Sequence, residues 1–392
     1  MYALNIEKIN ALIQKGKKIS EIAKEYKVTR QAVYAHLSKA KKAKKRKKSK
    51  QNSIIQKRNY NALIDWKVYN NGLIKRGEIL LDFDIFKNWE KEVSAMNKNK
   101  VGARYQYPDS FILFLLRLKI MFQIDYRTLQ GIENKLIVFI PQAKKSANYS
   151  TLQRRLKKLK LNLEIYQEEQ IQQEIAGDAS GLKTSNRGEY RMSKYRNGVK
   201  KRYVKLHIAV NIKTRQVVSN IITGDEVSDN TQLKKLIKEA ERSGKVVKGL
   251  FDSGYDSKEN YWFLKERNIL GGIKPRATLR GERLTEEITN VKREIQRSKK
   301  SKKIIELEKR LLRLKEMKEY QSNEKKWKSK YGYGLRWRSE GRYSVFKRLF
   351  GENVFSKGMG SIKNEVQLKV NLMNQFTSFL IKAYKTNNID TG

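Results

Sequence analysis

The order of strands and helices that the sequence predicts after residue 170 constrains the fold more than any other feature. Apolar and polar residues alternate strictly from Val204 to Ile212, which is typical of a β-strand with one buried face. A short apolar run precedes this strand, a return strand follows it, and two further apolar runs alternate with helical patterns. The predicted order is strand, strand, strand, helix, strand, helix, strand. This order indicates an α/β domain built on a mixed five-stranded sheet.

Two aspartates lie at predicted strand ends in this domain. Asp178 ends the first apolar run, in GDASG, and Asp252 ends the fourth strand, in LFDSGYDS. Each aspartate taken alone is equally well explained as a turn residue or a helix cap. We interpret Asp256, the second acid of the latter loop, as such a cap. We interpret His207 as a structural residue on the polar face of its strand.

A four-residue pattern near the C-terminus completes the candidate site. Tyr333, Arg336, Glu340 and Lys347 stand at relative positions 0, 3, 7 and 14. In one helix, at about 100° per residue, these side chains form a polar stripe about 60° wide. The adjoining arc is apolar and is predicted to face a core: Leu335, Tyr343, Val345, Phe346, Leu349 and Phe350. A solvated helix face with an Arg–Glu pair at i,i+4 explains the same spacing, so the aspartates upstream must decide.

The spacing Y-(2)-R-(3)-E-(6)-K resembles the signature of DDE transposases of prokaryotic insertion sequences, notably the superfamily of groups four and five. The resemblance covers about residues 100–385 and implies an RNase H-like catalytic core. In that core the strands that carry Asp178 and Asp252 are neighbours, and Glu340 approaches from the signature helix. One departure is Ala179, since many relatives have a hydroxyl side chain directly after the first aspartate.

The resemblance also implies the cofactor and the reaction. Asp178, Asp252 and Glu340 would bind two Mg²⁺ or Mn²⁺ ions per active site, with Asp178 bridging both ions. The other signature residues would contact DNA: Tyr333, Arg336 and Lys347. The implied activity is cleavage at the terminal inverted repeats of an insertion sequence and joining of the 3′-hydroxyl ends to target DNA. A homodimer in the synaptic complex is implied as well.

Residues 1–40 have the pattern of a helix-turn-helix domain. Three short amphipathic segments are separated by turns, the first ending at Gly16 and the third beginning after Thr29. Ser20 is expected to cap the second helix. An ordinary three-helix scaffold would show the same pattern. In a recognition helix, three residues near the start of the third segment would read base edges: Arg30, Gln31 and Tyr34.

Charge identifies the expected partner. The chain of 392 residues has 87 Lys and Arg against 40 Asp and Glu, a formal net charge of +47. Because a polyanion offsets such self-repulsion, nucleic acid is the partner that the charge predicts. The resemblance implies that it is double-stranded DNA, and that no small-molecule substrate is expected. Residues 41–54 open with eight basic residues in ten, which predicts a solvated linker that also binds phosphates.

Two further regions are predicted to be helical. Residues 55–170 have the pattern of an all-α domain for DNA binding or dimerisation, with Ser150 or Thr151 capping its last helix. Residues 171–392 form the predicted catalytic domain, interrupted by an insertion at 276–330. Apolar residues recur with helical spacing on both sides of SKKSKK, which indicates a charged antiparallel helical hairpin. A coiled-coil dimer contact is the competing interpretation.

The composition excludes several kinds of site. The chain has no cysteine, which excludes disulfides and thiolate metal sites, and it has only two histidines, so a zinc site is not expected. Oxygen ligands would have to hold any metal, which favours Mg²⁺ or Mn²⁺. Arg117 and Lys119 interrupt the most apolar stretch, 111–122, which indicates a buried helix and no membrane span. The N-terminus lacks a signal-peptide pattern. The resemblance implies a prokaryotic, nucleoid-associated cytoplasmic protein.

Two other functions fit the same sequence. One is an inactive, transposase-derived repressor that binds DNA without cutting it. The other is an RNase H-like nuclease without strand transfer. The intact acids favour an active enzyme over the first, and the signature Tyr, Arg and Lys favour a transposase over the second.

Overall fold

The computed structural model describes residues 9, 12–13, 15–35, 37–38, 64–166, 171–184 and 203–383. These residues belong to two compact units, one with the residues up to Lys67 and Ala383, and the other with Val68–Lys382. The predicted basic linker, 41–54, lies outside the described residues, as does His36. The domain boundaries stay predictions.

The N-terminal unit has three helical segments around a small apolar core. Residues 9 and 12–13 are helical, helix α1 spans Ile19–Glu25, and helix α2 covers 30–35. The core consists of Ile9, Ile22, Ala23 and Val33. This arrangement agrees with the predicted succession of helix, turn and helix.

The two helix caps in this unit show where local prediction succeeds and fails. The Thr29 hydroxyl accepts the N–H of Ala32 at 3.2 Å, as expected for the cap of α2. The expected cap of α1, Ser20, is wrong. There the Glu21 carboxylate accepts the N–H of Lys18 at 3.2 Å, because the helix begins at Ile19, two residues earlier than a Ser20 cap requires.

In residues 64–166, the described part of the helical region that precedes the sheet, there are five α-helices: α3 (Trp66–Glu78), α4 (Trp89–Asn97), α5 (Asp109–Phe122), α6 (Tyr126–Leu136) and α7 (Tyr149–Lys158). The most apolar stretch forms α5, which is buried as expected. Asn148 caps α7 by accepting the N–H of Ser150 at 2.9 Å, so the predicted caps Ser150 and Thr151 are wrong. Across the described parts of the chain, no helix is long and apolar enough to cross a membrane.

The sheet has the predicted mixed character. Its strands are β1 (Gln172–Lys183), β2 (Tyr203–Asn211), β3 (Val217–Gly224), β4 (Lys245–Phe251) and β5 (Leu270–Ile273). They lie in the order β3-β2-β1-β4-β5. The first three strands pair antiparallel, and β1–β4 and β4–β5 pair parallel. This confirms the predicted five-stranded, RNase H-like core preceded by all-α regions.

Between residues 203 and 383, all of which the structure describes, seven α-helices accompany the sheet: α8 (Leu233–Ala240), α9 (Lys258–Glu266), α10 (Gly281–Arg297), α11 (Ser301–Ser322), α12 (Glu324–Tyr331), α13 (Trp337–Phe350) and α14 (Met359–Ile381). Helices α8 and α9 cover one face of the sheet. Helices α13 and α14, together with α5, α6 and α7, form a core with the other face. Because both faces are covered, His207 in β2 is 0% exposed, and the expectation that it lies on a polar face is wrong.

The insertion forms the predicted antiparallel hairpin. Helices α10 and α11 are joined by residues 298–300 and share an apolar core of their own. Its buried members are Leu284, Ile288, Val291, Leu307, Leu314 and Met317. The apolar side of each hairpin helix is therefore buried against the other helix of the same chain.

The signature residues do not share one continuous helix, although their spacing suggested one. Gly332 ends α12 with a left-handed φ of 57°, and Tyr333–Arg336 then form a 3₁₀ turn before α13 begins. Only the later part of the stripe is α-helical. Its apolar side packs into the core as predicted, with Tyr343, Phe346 and Phe350 buried.

Candidate active site

Asp178 lies inside β1, and not at its end as predicted. On one side β1 pairs with β2 as far as Lys183. On the other side the parallel ladder with β4 stops where Gly177 faces Phe251. Asp178 is therefore the first residue of β1 beyond the end of β4. The strand continues because β2 still offers it backbone partners.

Asp252 follows β4 directly, so the register of the two strands brings it next to Asp178. It caps the short turn Ser253–Tyr255, where its Oδ1 accepts the N–H of Gly254 at 2.9 Å. The ring of Tyr255 is fully buried in the core beneath this turn. The turn thus fixes the Asp252 side chain at the sheet edge.

Arg336, the last residue of the 3₁₀ turn, and Glu340, in the first turn of α13, approach Asp178 from the signature segment. The Arg336 Nη1 atom lies 3.7 Å from Asp178 Oδ2, and its Nη2 atom donates to Glu340 Oε1. The Tyr343 hydroxyl lies 2.9 Å from the backbone oxygen of Asp178 and 2.5 Å from that of Leu206. This tyrosine holds α13 against β1 and β2, and so sets the distance between the signature helix and Asp178.

The electrostatics of Asp178 reflect this crowding of acids. Burial, helped by the nearby carboxylates of Asp252 and Glu340, raises the pKa of Asp178 to about 6. The N–H of Ala179 and the Arg336 guanidinium oppose the increase. Within the described residues, no three His, Cys, Asp or Glu side chains are gathered closely enough to hold a metal ion. The Glu340 carboxylate instead pairs with Arg336.

The two outer signature residues make contacts that the spacing did not predict. Tyr333 is 8% exposed, and its hydroxyl donates to the backbone oxygen of Phe251 at 3.0 Å. Because its ring is packed inside the protein, the contact with DNA that the resemblance implies does not fit this placement. Lys347 Nζ lies 3.2 Å from Glu352, which also pairs with Lys183 at 3.0 Å. Its role toward DNA stays a prediction.

A further carboxylate lies beside the Asp252 turn. A Cβ atom on Gly254 would be 2.9 Å from Asp252 Oδ1 and 3.3 Å from Asp229 Oδ2. Lys205 Nζ pairs with Asp229 at 3.2 Å, and His207 Nδ1 lies 3.9 Å from the same oxygen. Burial lowers the pKa of His207 to about 4, so this imidazole is neutral near pH 7. No local signal in the sequence places Asp229 at this site.

Asp256 is not the helix cap that the sequence suggested. Ser257 caps α9 by accepting the N–H of Asn260 at 3.3 Å. The Asp256 side chain is fully buried and accepts two hydrogen bonds from Arg313 of the inserted hairpin. The predicted cap is wrong because a residue far along the chain binds the carboxylate.

The base-reading residues predicted in the N-terminal unit are exposed on α2. Arg30 and Gln31 are open to solvent, and the Tyr34 side chain is largely exposed. Their exposure leaves them accessible to a partner. Whether they read DNA stays a prediction.

Comparison with known protein families shows which family the chain belongs to. Two models described as a transposase DDE domain match the chain, one over residues 169–374 and the other over 74–187. The first match alone covers more than half of the 392 residues. This chain belongs to the DDE transposase family.

A DDE transposase is an enzyme that acts on DNA and uses a divalent metal, so the site must be able to hold one. The donors present are carboxylates, the ligands that hard divalent cations prefer. The Asp178 carboxyl is buried beside two other acids, an arrangement that a bound cation would relieve. The chemistry of these donors, rather than their present spacing, therefore fits a divalent cation.

Proposed function

We propose that this transposase binds the terminal inverted repeats of an insertion sequence, cuts the ends and joins the 3′-hydroxyl ends to target DNA. The observation that carries this proposal is the juxtaposition of Asp178 and Asp252 at one sheet edge, faced by Arg336 and Glu340. Arg336 and Glu340 are the central pair of the Y-(2)-R-(3)-E-(6)-K signature, which further supports the proposal.

Asp178, Asp252 and Glu340 would hold two Mg²⁺ or Mn²⁺ ions in the proposed site. When bound, the ions activate a water or a 3′-hydroxyl for attack on phosphorus and stabilise the leaving oxygen. The protein supplies the rigid placement of the acids. Asp252 is held by the turn after β4, and Asp178 by the strands that flank β1.

Arg336 has two parts in this proposal. It pairs with Glu340 and lies close to Asp178, so it keeps the acids from repelling one another. With Glu340 serving as a ligand, the Arg336 guanidinium would be available to bind a phosphate oxygen beside the scissile bond. A planar guanidinium suits such a contact because it offers paired N–H donors.

DNA recognition is assigned to other parts of the chain. Arg30, Gln31 and Tyr34 would read the repeat sequence from α2, which is supported by their exposure. Lys347 would bind a phosphate near the cleavage point. The acting species would be a homodimer bound to both ends. Since its substrate is chromosomal, we place it at the nucleoid of a prokaryotic cell.

The catalytic assignment is tested by replacing each acid with its amide. Asp178→Asn, Asp252→Asn and Glu340→Gln should each abolish cleavage of a terminal-repeat duplex while binding of that duplex persists. Each amide keeps the size of the side chain and removes the charge that a cation needs. The measurements are gel assays of cleavage and binding, with Mg²⁺, with Mn²⁺ and with EDTA.

Arg348, on the exposed side of α13, offers the control, whereas Ser339 on the same helix is buried and would be a poor one. Arg348→Ala should cut almost as the unaltered protein does. Full cleavage in EDTA, or by any one of the three amide variants, would refute the assignment of the acids.

A further inference from the structure

The inserted hairpin reaches the turn that carries Asp252. Arg313 of α11 donates from Nε to Asp256 Oδ1 at 2.8 Å and from Nη2 to Asp256 Oδ2 at 2.7 Å. The backbone N–H of Arg276 donates to the same Oδ2 at 2.8 Å. The Asp256 side chain is 0% exposed. A buried carboxylate with this two-pronged contact is held in one orientation.

Asp256 and Asp252 belong to the same tight turn. The N–H of Tyr255 donates to the backbone oxygen of Asp252 at 3.3 Å, and that of Asp256 to Ser253 at 3.3 Å. The Gly254 N–H donates to the Asp252 side chain. A shift of Asp256 therefore changes the backbone that orients the Asp252 carboxylate.

Arg313, the other partner in this contact, is also held in place. Helix α11 pairs with α10 over a common apolar core, so the backbone of Arg313 belongs to a rigid element. On the same helix, Lys309 pairs with Glu259 of α9 at 3.1 Å, and Leu312 packs against the core that α9 shares. The hairpin is thus docked beside the turn from 252 to 256.

We propose that Arg313 is a positioning residue for DNA cleavage: through Asp256, the inserted hairpin holds the turn that orients Asp252. The inference rests on the proposed catalytic role of Asp252. It gives the insertion a function within the active site, beyond filling a long interval in the sequence. It also explains why a carboxylate is buried in this loop, where an unpaired charge would be costly.

The test uses the full chain with Arg313→Ala and the conservative Arg313→Lys. We expect Arg313→Ala to lower kcat for cleavage by about tenfold or more, with the Kd for the repeat duplex changed by less than about twofold. Hydrogen exchange of the peptide that contains Gly254 should become at least about tenfold faster, because its amide reports the Asp252 cap. Arg313→Lys keeps the charge and should restore part of both properties. If the alanine variant does not fold, the lysine variant is compared in the same way.

Arg310→Ala is the matched control. Arg310 lies one turn away on α11, is 53% exposed, and pairs at 2.5 Å with Glu287 of the hairpin itself. The Arg310→Ala variant should cleave DNA, and exchange the amide hydrogens of the Gly254 peptide, at the rates of the unaltered protein. Unaltered cleavage by Arg313→Ala, slow cleavage without faster exchange, or an equal loss in Arg310→Ala would overturn the proposal. If the unaltered protein cuts no DNA, the proposed function fails, while the exchange comparison still decides whether Arg313 orders the turn.

Discussion

Asp178 is the residue at which function and stability conflict most directly. Burial, together with nearby Asp252 and Glu340, raises its pKa from the usual 3.8 to about 6. The folded protein therefore holds a proton between these pH values that the unfolded chain has released. Above pH 6 the ionised carboxylate costs the folded state free energy, and below about pH 4 this cost is absent.

Asp178→Asn should therefore stabilise the metal-free protein at pH 8 and leave its stability at pH 4 nearly unchanged. The shift from 3.8 to about 6 sets an upper limit of about 3 kcal/mol on the gain. Denaturant unfolding in EDTA at the two pH values measures it. An equal change at both would mean that packing of the amide, and not removal of the charge, is responsible.

Lys347 is the last of the four signature residues along the chain. A prediction about it distinguishes the effect of its position in the signature from the effect of positive charge in general. Lys347→Ala should weaken complexes on precut ends and slow strand transfer, while the metal dependence of cleavage stays the same. Arg348 points about 100° away around the helix and is exposed, so Arg348→Ala should be mild. Gel shifts and strand-transfer assays with both variants make the comparison. Equal effects would show that general positive charge matters and the signature spacing does not.

Individual residues were predictable where their role depends on local pattern. Asp178 and Asp252 stood out because each ends an apolar run, and the strand register then places them side by side. Asp256 and Tyr333 were misjudged because their surroundings come from distant segments. Arg313 lies 57 positions from Asp256, and Tyr333 bonds to Phe251 across 82 positions. No spacing in the sequence encodes such contacts.

For helices and strands, the periodicity of apolar residues predicted the type of each element more accurately than the residue at which it ends. The strand β2, the buried helix α5 and the α10–α11 hairpin all follow from apolar spacing. The residue at which an element ends depends on which other segments offer it backbone hydrogen bonds. The strand β1 runs past Asp178 because β2 continues to pair with it, and the signature segment divides where the 3₁₀ turn Tyr333–Arg336 gives way to α13.

Helix α2 carries the prediction for sequence recognition. If Arg30 reads a base, Arg30→Ala should reduce the discrimination between terminal-repeat and random duplexes by about 1–3 kcal/mol. Lys24 is an exposed cation on α1, so Lys24→Ala should weaken binding to both duplexes alike. Competition binding at fixed salt measures the two ratios. Unchanged discrimination in Arg30→Ala would remove this residue from base reading.

At the scale of the whole molecule, the predicted helical region and the predicted catalytic domain are packed together more closely than the sequence suggested. Helices α4 to α7 share one apolar core with the sheet and with α13 and α14, so these helices and the sheet lie in one compact unit. The sequence could not predict this because amphipathic helices reveal that a face is buried, and not what buries it. A change in α5 is therefore also a change beneath the signature helix.

The net charge of +47 belongs to the whole chain, and the basic run at 41–50 contributes eight of its cations. Replacing those eight with Gln should reduce the dependence of log K on log salt by about 0.9 for each phosphate that the chain no longer neutralises, since fewer counterions are released. Discrimination between repeat and random DNA should not change, because phosphates carry no sequence information. Binding titrations across a salt series measure both quantities. A footprint of a chain beginning at residue 51 that matched the full protein would contradict this division between the recognition helix and the basic run.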